Sequence, residues 1–222
     1  MVIRGRAASL ALSLLLCAGV TACQSSDDNT QAAPSTETVD GNCAGALDEN
    51  AVAAAAALID ATRVRTSTAS GGMTGAAKAL VSEYRKNGIS EGSKIGVCWI
   101  YRSSKDLSDI TVSFSFATQI PDAKKTASVF TPYKMGALAL AGNQSAALYM
   151  RCTSSEFDPD GSKESFLIRG ETRNRYEPDG NDVAVQKRNL TVAHSVSFAM
   201  AKALRCENNA GLSGAFEMPS KA

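Results

Sequence analysis

The stretch KIGVCWIYRSSKDLSDITVSFSF, residues 94 to 116, decides the fold class. Its second part alternates strictly: Ile110, Val112, Phe114 and Phe116 are apolar, and Thr111, Ser113 and Ser115 between them are small and polar. Successive side chains of a strand point to opposite faces, so this pattern predicts a β-strand with one face on a core and the other in water. In the first part, Lys94 to Arg102, residues Ile95, Val97, Trp99 and Tyr101 fall on one side and Cys98 with Ile100 on the other. Both sides are apolar, which predicts a central strand with Cys98 directed away from the aromatic side. Ser103 to Ser108 is polar and turn-like, so the two strands are expected to form a hairpin.

Upstream, Asp48 and Glu49 precede Ala51 to Asp60, a run of five alanines followed by Leu58 and Ile59. Alanine has the highest helix propensity and acidic residues favour the positive end of a helix, so a helix is expected there, with Leu47, Ala51, Ala54 or Ala55 and Leu58 as its apolar stripe. Arg63 to Thr68 permits a short strand. Gly71 and Gly72 then punctuate the chain before a second helix from Thr74 to Asn87. Its face of Met73, Ala76, Ala77, Leu80, Val81 and Tyr84 predicts packing on its own domain, and Gly88 stops it.

Downstream, Gln119 to Ala141 holds neither period, with Pro121 and Pro132 interrupting. Ala146 to Thr153 reads as a strand with Leu148, Met150 and Cys152 on one face. Asp158 to Gly161 and Glu177 to Gly180 are acid-Pro-Asp-Gly turns that bracket an expected strand from Ser165 to Tyr176, which favours an antiparallel meander. A last helix is expected from about Leu190 to Arg205, with Val192, Val196, Ala199, Ala203 and Cys206 on one stripe. The fold class that follows is α+β, an antiparallel sheet packed by about three helices.

The N-terminal segment has a different composition. Arg4 and Arg6 precede an apolar run from Ala7 to Ala22, the layout of a secretion signal, and its roughly fifteen apolar positions fall short of a bilayer span. Val20, Thr21, Ala22 and Cys23 close it in the order of a bacterial lipobox, so Cys23 is the expected lipidation site and residues 1–22 the cleaved signal peptide. An ordinary secretory signal and an uncleaved anchor are the rival readings. Leu14 to Cys17 is a poorer lipobox, because Leu16 is large where a small residue is wanted. Two or more acyl chains on Cys23, at about 0.8 kcal/mol per buried methylene, anchor stably where one would not. That reading places the protein on the outer face of a bacterial cytoplasmic membrane, with membrane lipid its partner through acylated Cys23. Residues 23–42 are expected to be a lipidated cysteine and a disordered tether, acidic and poor in apolar side chains, followed by a single domain at 43–222.

Four further cysteines, Cys43, Cys98, Cys152 and Cys206, are an even set in an oxidising compartment, and two disulfides are expected to brace the domain. Three pairings are open. The separations of 55 residues from Cys43 to Cys98 and 54 from Cys152 to Cys206 are suggestive, in that sequential pairing would give two bridged halves of nearly equal length. A metal site is disfavoured because no two of these cysteines are close-spaced, and no metal is expected.

The whole chain of 222 residues carries a net charge of +1, and beyond residue 42 the balance is 21 basic to 18 acidic. That excludes a strongly basic nucleic-acid binder, and no nucleic-acid partner is expected. No phosphate loop, glycine-serine elbow or paired-histidine metal motif occurs, and no cofactor is expected. His194, the one histidine, lies about 200° around the last helix from Val192 and is expected at the surface, with Ser195 and Ser197 nearby in sequence but no orienting carboxylate. Asp158, Asp160 and Glu164 around Gly161 fail the calcium-loop spacing. Trp99, Tyr101 and Tyr84, rimmed by Arg102 and Arg151, are candidates for a ligand cleft, against the commoner reading of core aromatics. Arg169, Arg173, Arg175, Lys187 and Arg188 look scattered.

The lipobox at Val20 to Cys23, the tether, Cys43 ahead of an alanine-rich helix, the Cys98-Trp99 pair and the closing Ala201 to Cys206 segment together resemble the secreted lipoproteins of actinobacteria whose function is uncharacterised. That resemblance implies an anchored envelope protein that binds a ligand or partner or has a structural role, and it supplies no catalytic residues. The alternative is an extracytoplasmic hydrolase whose site is not visible as a motif.

Overall fold

The computed structural model describes residues 36–38, 42–90, 92–102, 107–126, 128–157 and 164–222. In chain order the elements are β1 (Thr36–Thr38), α1 (Glu49–Leu58), β2 (Arg65–Thr68), α2 (Gly72–Asn87), β3 (Ile95–Tyr101), β4 (Ile110–Phe116), β5 (Thr131–Tyr133), β6 (Leu138–Ala141), β7 (Ser145–Thr153), β8 (Ser165–Asn174) and α3 (Asp182–Ala203). The strands form one antiparallel sheet in the order β1-β2-β3-β4-β8-β7-β6-β5. Two four-stranded meanders thus meet at their last strands, where β4 and β8 pair from Ile110↔Asn174 to Phe116↔Ile168. The fold is α+β, with an antiparallel sheet, three helices and two disulfides, the class expected from the sequence.

The main core lies between the helices and one face of the sheet. Cys98, Val112, Phe114, Leu148, Met150 and Ile168 rise from the strands to meet Ala77 and Leu80 of α2 and Val192, Val196 and Met200 of α3. The helix α1 starts on the side chain of Asp48, which accepts from the Ala51 N–H at 2.7 Å, and its buried Ala51, Ala54, Ala55 and Leu58 form the expected stripe. Helix α2 ends at Gly88, whose φ of 67° is the left-handed geometry that glycine adopts without strain. A smaller cluster on the second face, built on Leu138, Leu140, Tyr149 and Leu167, is packed by Ile120, Ala123 and Phe130 from the β4–β5 connection.

Residues 36–38, within the segment expected to be a tether, pair with β2. Four expectations are corrected. The stretch 119 to 141 contains β5 and β6: β5 is an edge strand, where Pro132 is tolerated, and β6 is buried on both faces and so shows no alternation. Helix α3 starts at Asp182, well ahead of Leu190, with the Asn181 side chain accepting from the Ala184 N–H at 2.9 Å. It is also buried all round from Asn189 to Ser197 rather than along one stripe, because it lies between the sheet and α1. His194 is consequently 2% exposed, not at the surface. Strand β8 stops at Asn174, short of Tyr176. Cys23 and the Asp158 to Gly161 turn lie outside the described residues.

Candidate functional site on the polar face of the sheet

Register sorts the side chains of the second face. Ser67 opposes Trp99, Trp99 opposes Thr111, and Thr111 opposes Arg173, while Ser113 opposes Glu171 and Ser115 opposes Arg169. Because directly paired residues project to the same side, the residues Arg169, Glu171 and Arg173 of β8 line up on this face beside Trp99 and Tyr101 of β3. The Trp99 ring lies over Gly96, where an added Cβ would come within 2.7 Å of it, and the register of β3 shifts between Gly96 and Cys98. Trp99 is 5% exposed but belongs to neither apolar cluster. Tyr101 shares a hydrogen bond of 3.1 Å with the Ser67 hydroxyl.

Glu171 is the electrostatic centre of this face. Its carboxylate is buried, and its Oε2 accepts from the Lys94 ammonium at 2.9 Å and lies 3.0 Å from a guanidinium nitrogen of Arg169. Arg173 stands 3.7 Å from Oε1. Burial works to raise the carboxyl pKa, but the Lys94 hydrogen bond and the charges of Arg169, Lys94 and Arg173 outweigh it and hold the group below its ordinary range. Arg169 also lies over the Tyr149 ring, 5.9 Å from its centroid. The three cations keep their heads partly in water, with Arg173 65% and Lys94 50% exposed, so each pair stabilises the fold only modestly, on the order of 1 kcal/mol or less.

The other candidates separate. Tyr84 does not join Trp99 and Tyr101, because α2 is on the opposite side of the sheet; its ring packs in a cluster with Phe116, Phe157 and Phe166 at 4.7 to 5.9 Å. The Arg102 backbone N–H donates to Asp109, and Arg151 stands exposed on the second face. Arg175 donates to the Leu107 carbonyl and covers the Tyr176 ring, while Lys187 and Arg188 belong to α3. Cys43 bonds Cys98, tying the segment before α1 to β3, and Cys152 bonds Cys206, tying β7 to the end of α3. Among the described residues no group of His, Cys, Asp and Glu comes together in a metal-binding arrangement.

His194 stacks on Phe198 and meets Phe216 edge-on, with ring centroids 6.3 and 5.7 Å away. Burial pushes its pKa down, partly opposed by the charge of Asp48 and a backbone hydrogen bond at Ser213. The Ser195 hydroxyl accepts from the Asp48 N–H and donates to the Ala46 carbonyl, each at 3.0 Å, so it serves the start of α1. The Ser197 hydroxyl is buried without a partner over Gly170. These groups make no nucleophile-base pair with His194.

Sequence reasoning missed the convergence on Glu171. The alternation Arg169-Gly170-Glu171-Thr172-Arg173 already places the three charged residues on one strand face, but Lys94 reaches them only through the pairing of β3, β4 and β8. No family model, curated protein or solved structure matches the chain.

Proposed function

We propose that this chain is a lipid-anchored extracytoplasmic binding protein of the bacterial envelope, held at the outer face of the cytoplasmic membrane by acyl chains on Cys23, with the polar face of the sheet as its binding surface. The observation that carries the reading is the order of features along the chain: a charged and then apolar leader, Val20-Thr21-Ala22-Cys23, an acidic linker, and a domain closed by two disulfides. Disulfides of this kind persist in oxidising compartments, which agrees with export. The resemblance to secreted actinobacterial lipoproteins points the same way. Among the described residues no helix is long and apolar enough to cross a membrane. Binding is preferred to hydrolysis because His194 packs against the Phe198 and Phe216 rings with no hydrogen-bonded nucleophile among the described residues, whereas Glu171 and its cations form a charged face.

The test is fractionation of cells expressing the wild-type chain or Cys23→Ser, together with intact mass. The wild type is expected in the membrane fraction, with residues 1–22 removed and mass added at Cys23, and the variant is expected to leave that fraction. Equal retention of both, or a leader still attached to the wild type, overturns the reading.

A further inference from the structure

We propose that the cationic part of the polar sheet face, Lys94, Arg169 and Arg173 around Glu171, is a binding site for a phosphate-bearing anion. The proposal deepens the binding reading above and rests on it. Strands β3, β4, β7 and β8 contribute a single acidic side chain to this face, Glu171, whereas Arg151, Arg169 and Arg173 come from β7 and β8 and Lys94 immediately precedes β3. An ion-pair ladder built for stability alone alternates signs in near-equal number. Here a strongly held carboxylate leaves an excess of positive charge on one side of a nearly neutral chain.

The arrangement is preorganised. Glu171 is fixed on a central strand and holds Lys94 and Arg169 at 2.9 and 3.0 Å, so much of their ordering is complete before a ligand arrives. Arg173 is held more loosely, at 3.7 Å, with most of its side chain in water, and its planar fork is free to turn to a second acceptor. On either side of Arg173, the half-buried Thr111 and Ser145 supply hydroxyl donors that no other described residue engages. Guanidinium forks with flanking hydroxyls match the several oxygens of a phosphate group.

A phosphate group is presented equally by a soluble phosphate and by a phospholipid headgroup, and the assay separates them. The full chain carrying Cys23→Ser, which needs no acyl group, is titrated at low salt with inorganic pyrophosphate and with vesicles of phosphatidylglycerol, using phosphatidylcholine vesicles as the neutral control. Saturable binding to pyrophosphate supports the site with a soluble source, and binding confined to the phosphatidylglycerol vesicles supports it with a headgroup source. In either arm Arg173→Gln is expected to weaken binding about tenfold. Lys78→Gln on α2, across the sheet, is expected to leave it unchanged. The Arg173 head stands mostly in water, so the substitution does not disturb the core. No saturable binding to either probe, or an equal loss in Lys78→Gln, overturns the proposal. Because the assay does not involve lipid attachment, a negative result here is distinct from a negative fractionation.

Discussion

Glu171 and His194 are both buried titratable groups with depressed pKa values, but opposite causes act on them. At Glu171 burial opposes the charged form and three cations overrule it; at His194 burial opposes the charged form and prevails over Asp48. In each case the unfolded chain takes up a proton before the folded one, so stability falls as pH falls. The His194 contribution is complete above its ordinary value of 6.5 and is lost as pH drops toward the lowered folded value. That of Glu171 is complete above 4.5 and is lost below it. Thermal midpoints measured from pH 8 down to 3 therefore begin to fall below 6.5 through His194 and fall further below 4.5 through Glu171. His194→Phe is expected to flatten the upper fall and leave the lower, and Glu171→Gln the reverse. A His194→Phe profile that still declines just below pH 6.5 as the wild type does removes this account of the histidine.

At the scale of elements, what was legible in the sequence depended on how many faces an element buries. Strand β4 and helix α2 each bury one face, and their periods of two and 3.6 read directly from residues 110 to 116 and 73 to 84. Helix α3 buries every side over its middle, yet Asn189, Thr191, His194, Ser195 and Ser197 are polar, so a search for one apolar stripe turned His194 outward. Those polar groups are fixed by partners distant in sequence, which no local pattern announces. The Asn189 amide donates to the Gly142 and Asn143 carbonyls at 2.9 and 3.0 Å and accepts from Asn174, joining α3 to the β6–β7 turn and to β8. The Glu171 site was half legible for the same reason: β8 spells its own charges in alternation, and Lys94 arrives by pairing. Asn189→Ala removes the side-chain partner of the buried Gly142 carbonyl and one of the partners of the Asn143 carbonyl and of the Asn174 amide, which keep each other at 3.4 Å, with a loss of about 1 to 3 kcal/mol expected in denaturant unfolding. An exposed change on the same helix, Lys202→Ala, is expected to stay within about 0.5 kcal/mol. Equal midpoints for the two variants contradict the role assigned to Asn189.

At the scale of the molecule, the two disulfides do not divide the domain even though each closes a loop of similar length in its own half. Cys43–Cys98 fastens the first meander to the entry of α1, and Cys152–Cys206 fastens the second to the exit of α3. The halves share one sheet through the seven residue pairs of β4 and β8, and α3 is packed against α1 and α2 of the first half as well as β6, β7 and β8 of the second. Loss of one bridge therefore loosens the unfolded chain in one half, while the folded state it competes with is common to both. On the chain-entropy estimate each loop of about 55 residues is worth roughly 4 kcal/mol. That is a large part of a stability margin of about 5 to 15 kcal/mol for an ordinary domain. The double variant Cys152→Ser with Cys206→Ser is expected to lower the unfolding midpoint steeply while keeping one transition, with the fluorescence of Trp99 in the first half and far-ultraviolet dichroism of the whole domain moving together. If the second half melted first, with the Trp99 signal unchanged until a later step, the meanders would be separate folding units and the β4–β8 seam would not couple them.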